Sequence, residues 1–90
     1  MKVIPVLNEF GNVVKNQYQF LHEGCEYFQS YDKVVAKIDQ NFNVFLDEKF
    51  WDASKTTAKY RNMFLNKSTS VIKEEVHNGQ IKMVNLNVDV

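Results

Sequence analysis

The chain has 90 residues, a formal net charge of zero and 44% hydrophobic content, with seven Phe, four Tyr and one Trp. That is enough apolar material for one small domain over residues 1–90 and too much for intrinsic disorder, and no apolar run nears the roughly 18 residues of a membrane helix. The balanced charge gives no support to a strongly basic nucleic-acid surface overall, and Cys25, the one cysteine, can build neither an internal disulfide nor a cysteine metal site.

Residues 3–7 form a short apolar strand candidate, and Pro5 within it points to a sheet edge or a strand start. The cluster Asn8-Glu9-Phe10-Gly11-Asn12 marks a turn. Val14, Asn16, Tyr18 and Phe20 then alternate with Lys15, Gln17 and Gln19, which predicts a second strand reaching Leu21. His22-Glu23-Gly24 is the next turn.

Residues 26–39 carry two patterns. Val34, Ala36 and Ile38 alternate with Lys33 and Lys37 as in a strand, while Tyr31, Val34, Val35 and Ile38 share a helical face with Ser30 as a cap. Strand is the better reading, because the turn Asp39-Gln40-Asn41-Phe42-Asn43 and a short strand over residues 44–46 complete a hairpin.

The second half reads as helical. Ser54, Thr56 and Thr57 offer N-caps for a helix over residues 58–65, with Tyr60, Met63 and Phe64 toward the core. Asn66-Lys67-Ser68 breaks it. Ser68 or Ser70 caps a second short helix carrying Ile72 and Val76, and Asn78-Gly79 stops it. Ile81, Met83 and Leu86 suggest a last strand. The expected fold is α+β: an antiparallel sheet of about four strands, two short helices and a C-terminal strand.

Chemistry is sparse. His22, Glu23, Cys25 and Glu26 are close in sequence but match no closed four-ligand metal site. Residues 39–43 begin like a calcium loop, yet Val44 stands where Gly belongs and Phe50 where Glu belongs. There is no nucleophile elbow and no glycine-rich phosphate loop. The expectation is a protein without catalytic activity, cofactor or metal.

Charge is uneven along the chain. Residues 1–49 hold five Lys against seven acids, a net of −2; residues 50–83 hold five Lys and Arg61 against three acids, a net of +3. The most informative stretch is Ser54-Lys55-Thr56-Thr57-Ala58-Lys59-Tyr60-Arg61-Asn62. It sets hydroxyls and basic side chains at a helix start, where a phosphate or carboxylate can be held. Trp51 and Tyr60 add stacking surfaces. The alternative role for the same residues is a capped helix with an exposed basic face.

Two resemblances follow from particular residues. Leu65-Asn66-Lys67-Ser68, the helix to Asn78-Gly79 and Ile81-Lys82-Met83-Val84 resemble the helix-turn-helix and strand of excisionase-type DNA-binding domains. Asn66 replaces the turn glycine, Arg61 a small packing residue and Glu75 an apolar one. Separately, Ser30-Tyr31, Val35-Ala36 and Ser54-x-Thr56-Thr57-x-Lys59-Tyr60 resemble a family of small phage- and plasmid-encoded proteins of unknown function, over residues 28–65. That resemblance implies a mobile-element setting; residues 1–10 are too short an apolar stretch and too quickly polar for a signal peptide, so the expected location is the cytoplasm of a bacterial host. The partner it leaves open is nucleic acid or a host protein, the latter including counter-defence against a host nuclease system. A homodimer through an edge strand, at Pro5 or over residues 81–88, is a further candidate.

Overall fold

In the computed structural model, which describes residues 2–87, the chain forms β1 (Lys2–Leu7), β2 (Val13–His22), β3 (Cys25–Ser30), β4 (Lys33–Ile38), β5 (Val44–Asp47), α1 (Lys55–Leu65), α2 (Thr69–His77) and β6 (Ile81–Val84). The class is α+β, as expected, but the sheet has six strands in the order β1-β2-β3-β4-β5-β6. It is mixed: β1 to β5 form an antiparallel meander, and β6 joins β5 in parallel. Parallel neighbours need a crossover, and the pair α1–α2 supplies it.

The missing strand lies in residues 26–39, which fold as a hairpin of β3 and β4 rather than as one strand or a helix. Its turn was hidden because Tyr31, not Gly or Asn, takes the left-handed conformation at φ 58°. The β3–β4 register also slips at Phe28 and Gln29, so Val35 is an extra residue on β4. That slip interrupts the alternation and gives Val34-Val35-Ala36 its helical look. Ser30 ends β3 and caps no helix.

Register explains the core. Phe28, Ala36 and Leu46 lie opposite one another on β3, β4 and β5, so they share a face, and all three are fully buried. α1 packs chiefly on β3 and β4, and α2 on β6. Tyr60, Leu65, Ile72 and Ile81 close this core from the helix side and the sheet edge. Each fully buried Phe, Leu or Ile stabilises by roughly 1.5–3 kcal/mol.

Within α1 the inner stripe is Thr57, Tyr60, Arg61 and Leu65, all buried, with Phe64 half-buried beside them. Met63, expected inside, is 47% exposed, because it falls outside that stripe. Ser54 is the N-cap, and its hydroxyl accepts the Thr57 amide at 3.1 Å. Asn66 ends α1 in the left-handed conformation, and Ser68 caps α2. Two of the three departures from the helix-turn-helix pattern, Glu75 and Arg61, have partners here. Glu75 forms an ion pair with Lys67, and Arg61 bonds to Thr69 of α2 at 3.1 Å.

Beyond β6 the chain folds back over Asp47. Leu86, expected in the strand, instead donates its amide to Asp47 Oδ1 at 2.8 Å. Asn87 bonds both backbone groups of Val34, at 2.7 and 2.8 Å, as a neighbouring strand would. The stretch considered for pairing between chains, residues 81–88, runs out of the described residues at Val88.

Candidate functional site

The nine residues singled out from sequence divide into three sets. Ser54, Lys55, Thr56 and Lys59 are exposed; Thr57, Tyr60 and Arg61 are buried; Trp51 and Asn62 lie between. Thr57 Oγ1 meets Ser30 Oγ at 2.9 Å and accepts from Ser54 Oγ at 3.1 Å, a hydroxyl chain that ties the start of α1 to the end of β3. Lys59 lies 3.6 Å from Glu9 and over the Tyr60 ring. The exposed basic face at the helix start therefore consists of Lys55 and Lys59.

Arg61 does not join that face; its side chain is fully buried. Nη1 donates to the Trp51 carbonyl at 2.7 Å and to Asp52 Oδ1 at 3.0 Å; Nη2 donates to Asn62 Oδ1 at 2.8 Å and Thr69 Oγ1 at 3.1 Å. The guanidinium also stacks on Trp51, 5.1 Å from the ring centre. A buried charge persists only when paired and hydrogen-bonded, and five donors in a fixed fork meet that need. Arg61 is thus the pin between the β5–α1 loop, α1 and α2. Its spacing, four residues after Thr57 and four before Leu65, was the available signal.

No described element covers the sheet face opposite the helices, and sequence reasoning did not single it out. Register sets Val3, Phe20, Tyr27, Lys37, Phe45 and Lys82 side by side across all six strands. Phe20 and Tyr27 stack with ring centres 4.8 Å apart and planes within 8°. Lys37 lies between Tyr27 and Phe45, at 5.7 and 5.5 Å. These rings satisfy one another, so the row is a cross-strand ladder that holds the open face together.

One end of that face is different. A cleft of about 530 Å³ is lined by Val3, Tyr18, Phe20, Gln29, Tyr31 and Asp32. Tyr18 is 38% exposed and Tyr31 52%. The cleft borders the β1–β2 hairpin, which extends beyond the main helix contacts. Among the described residues, seven of the eleven exposed large apolar ones are in this hairpin: Val3, Ile4 and Leu7 on β1, Phe10 at the tip, and Val13, Tyr18 and Leu21 on β2. Of the hairpin, only Val6 and Gln17 are buried. Gln17 is an oddity, with neither amide atom partnered among the described residues.

The remaining polar groups have structural roles. Asp39 Oδ1 accepts the amides of Asn41 and Asn43, and Oδ2 accepts Asn43 Nδ2, which makes the calcium-loop-like opening a closed turn. Asp47 is buried, which by itself would raise its pKa. The Leu86 amide, the Asn87 side chain and the Lys49 and Phe50 amides outweigh that and hold it below its ordinary value. Among the described residues, no three of His, Cys, Asp and Glu gather as a metal site. No described helix is long and apolar enough to cross a membrane.

No curated protein and no solved structure matches the chain. A family model described as "Family of unknown function (DUF8033)" matches residues 1–81, nearly the whole chain. The chain belongs to this family of unknown function.

Proposed function

We propose that this is a non-catalytic binding protein whose partner is another protein, met by the β1–β2 hairpin and the open sheet face beside it. The carrying observation is the concentration of exposed apolar side chains on that hairpin. Single exposed apolar residues are ordinary on a protein surface, whereas this hairpin carries them on both faces, Val3 and Tyr18 on the open face and Ile4 and Leu21 on the other, as an element that a partner can clasp. Zero net charge suits a protein surface as a partner. Pro5 offers no backbone donor in the middle of β1, which favours side-chain contact over addition of a strand. The resemblance to small phage- and plasmid-encoded proteins supports an accessory role in a bacterial cytoplasm, such as inhibition of a host nuclease system. Capture from bacterial lysate by wild type and by a Val3→Ser, Leu7→Ser variant tests this. A discrete protein retained by wild type and lost by the variant supports the reading; equal retention by both refutes it.

A second reading places an anionic partner, including nucleic acid, at the start of α1. Exposed Lys55, Thr56 and Lys59 favour it, because first-turn amides have no partner within a helix. It predicts salt-sensitive oligonucleotide binding that falls in a Lys55→Ala, Lys59→Ala variant. Unchanged binding in that variant would remove this reading.

A further inference from the structure

We infer that the cleft between Val3, Tyr18 and Tyr31 receives a basic side chain from the partner protein. The inference rests on the protein-binding reading and names the chemistry of what is bound.

Three observations carry it. First, the walls are aromatic: Tyr18, Phe20 and Tyr31 line the cleft with Val3. Ring faces are the negative part of an aromatic quadrupole and attract a cation placed over them. Second, the polar lining is rich in acceptors. Asp32 lines the cleft and, among the described residues, has no cation within 4.0 Å. Its sequence neighbour Lys33 is turned away, with Nζ 5.3 Å from the Phe50 ring centre. Gln29 spends a donor on the Tyr31 carbonyl at 2.8 Å, which leaves its Oε1 as a further acceptor. A phosphate or carboxylate would meet the Asp32 charge here, whereas a guanidinium or ammonium complements it.

Third, Tyr31 is held where a tyrosine is costly. Its φ of 58° is left-handed, a conformation that Gly or Asn adopts far more cheaply. The Tyr31 amide donates to the Asn16 carbonyl at 2.7 Å, which fixes the turn without any need for the ring. The ring remains half exposed in the cleft. Phe42 takes the same conformation at φ 64° and is 86% exposed in a plain turn, so what sets Tyr31 apart is that its exposed side chain lines the cleft.

The test is an NMR titration of the full chain with the peptide acetyl-Gly-Arg-Gly-amide and, separately, acetyl-Gly-Glu-Gly-amide and tetramethylammonium chloride. The arginine peptide should give saturable amide shifts confined to Val3, Tyr18, Gln29, Tyr31 and Asp32, with a Kd on the order of 1 mM for so small a probe. Asp32→Asn should weaken it about tenfold, through loss of the charged acceptor. Tyr31→Asn, which suits the left-handed turn, should weaken it while the fold is kept. Shifts spread over the surface, equal shifts with the glutamate peptide, or indifference to Asp32→Asn would overturn the inference. So would tetramethylammonium binding as tightly as the arginine peptide, since that outcome points to a small free cation. If lysate capture still depends on Val3 and Leu7 while the arginine peptide fails, the cleft inference falls and the protein-binding reading stands.

Discussion

Replacing Arg61 with Ala removes a fully buried cation whose fork reaches the Trp51 carbonyl, Asp52, Asn62 and Thr69. Breaking a buried, hydrogen-bonded pair costs roughly 3–5 kcal/mol. The lower end applies here, because Asp52 is 43% exposed and its carboxylate stays hydrated once the partner is gone. The expected loss is about 3 kcal/mol, a large share of the roughly 5–15 kcal/mol that holds a small domain together. Arg61→Lys should restore little, since one ammonium cannot span acceptors in the loop and both helices. Urea unfolding followed by circular dichroism reads the effect, with the m-value unchanged and the midpoint lowered. A loss under about 1 kcal/mol, or full rescue by Lys, would refute the role of Arg61 as the pin.

Other predictions follow from single features. Gln17→Met replaces a buried amide with no partner among the described residues and should raise stability by about 1 kcal/mol; a clear loss in thermal unfolding would mean the amide is engaged. Asp47 titrates lower when folded than when unfolded. Its contribution is therefore present at neutral pH and lost as pH falls below the ordinary value of 3.8 and through the folded pKa. Asp47→Asn should cost roughly 2 kcal/mol at pH 7 and flatten the acid limb of stability against pH, whereas an unchanged acid limb would contradict the assignment. Gly24→Ala should cost roughly 1–2 kcal/mol, because φ is +78° and a Cβ would lie 2.2 Å from Gln40 Nε2, pushing that side chain off the Glu23 carbonyl. Chemical unfolding would show a loss near zero if Gln40 moves aside freely.

Much of the fold was legible because it rests on local rules. Alternation exposed β2; Ser54, Thr56 and Thr57 offered caps for α1 and Ser68 or Ser70 for α2, of which Ser54 and Ser68 serve, and Asn78-Gly79 announced the end of α2. The β3–β4 turn was not legible, since Tyr31 occupies a position where the code of turns calls for Gly or Asn. The basic helix start was legible only in part. Sequence spacing puts Arg61 on the Thr57–Leu65 stripe, but only the tertiary fold brings Trp51, Asp52 and Thr69 around its fork. The cleft was out of reach, because Val3, Tyr18 and Asp32 meet there only through pairing across three strands and a turn. That the helices leave the β1–β2 hairpin largely bare likewise depends on which strands they cover, a tertiary outcome that alternation within β2 cannot show.

What touches the hairpin face in a cell decides between a protein partner and any other. A photo-cross-linking amino acid placed at Tyr18, beside the cleft, should trap a discrete bacterial protein, while the same group at Lys73, exposed on α2, should not. Adducts with nucleic acid at Tyr18, or equal protein trapping at both positions, would contradict it.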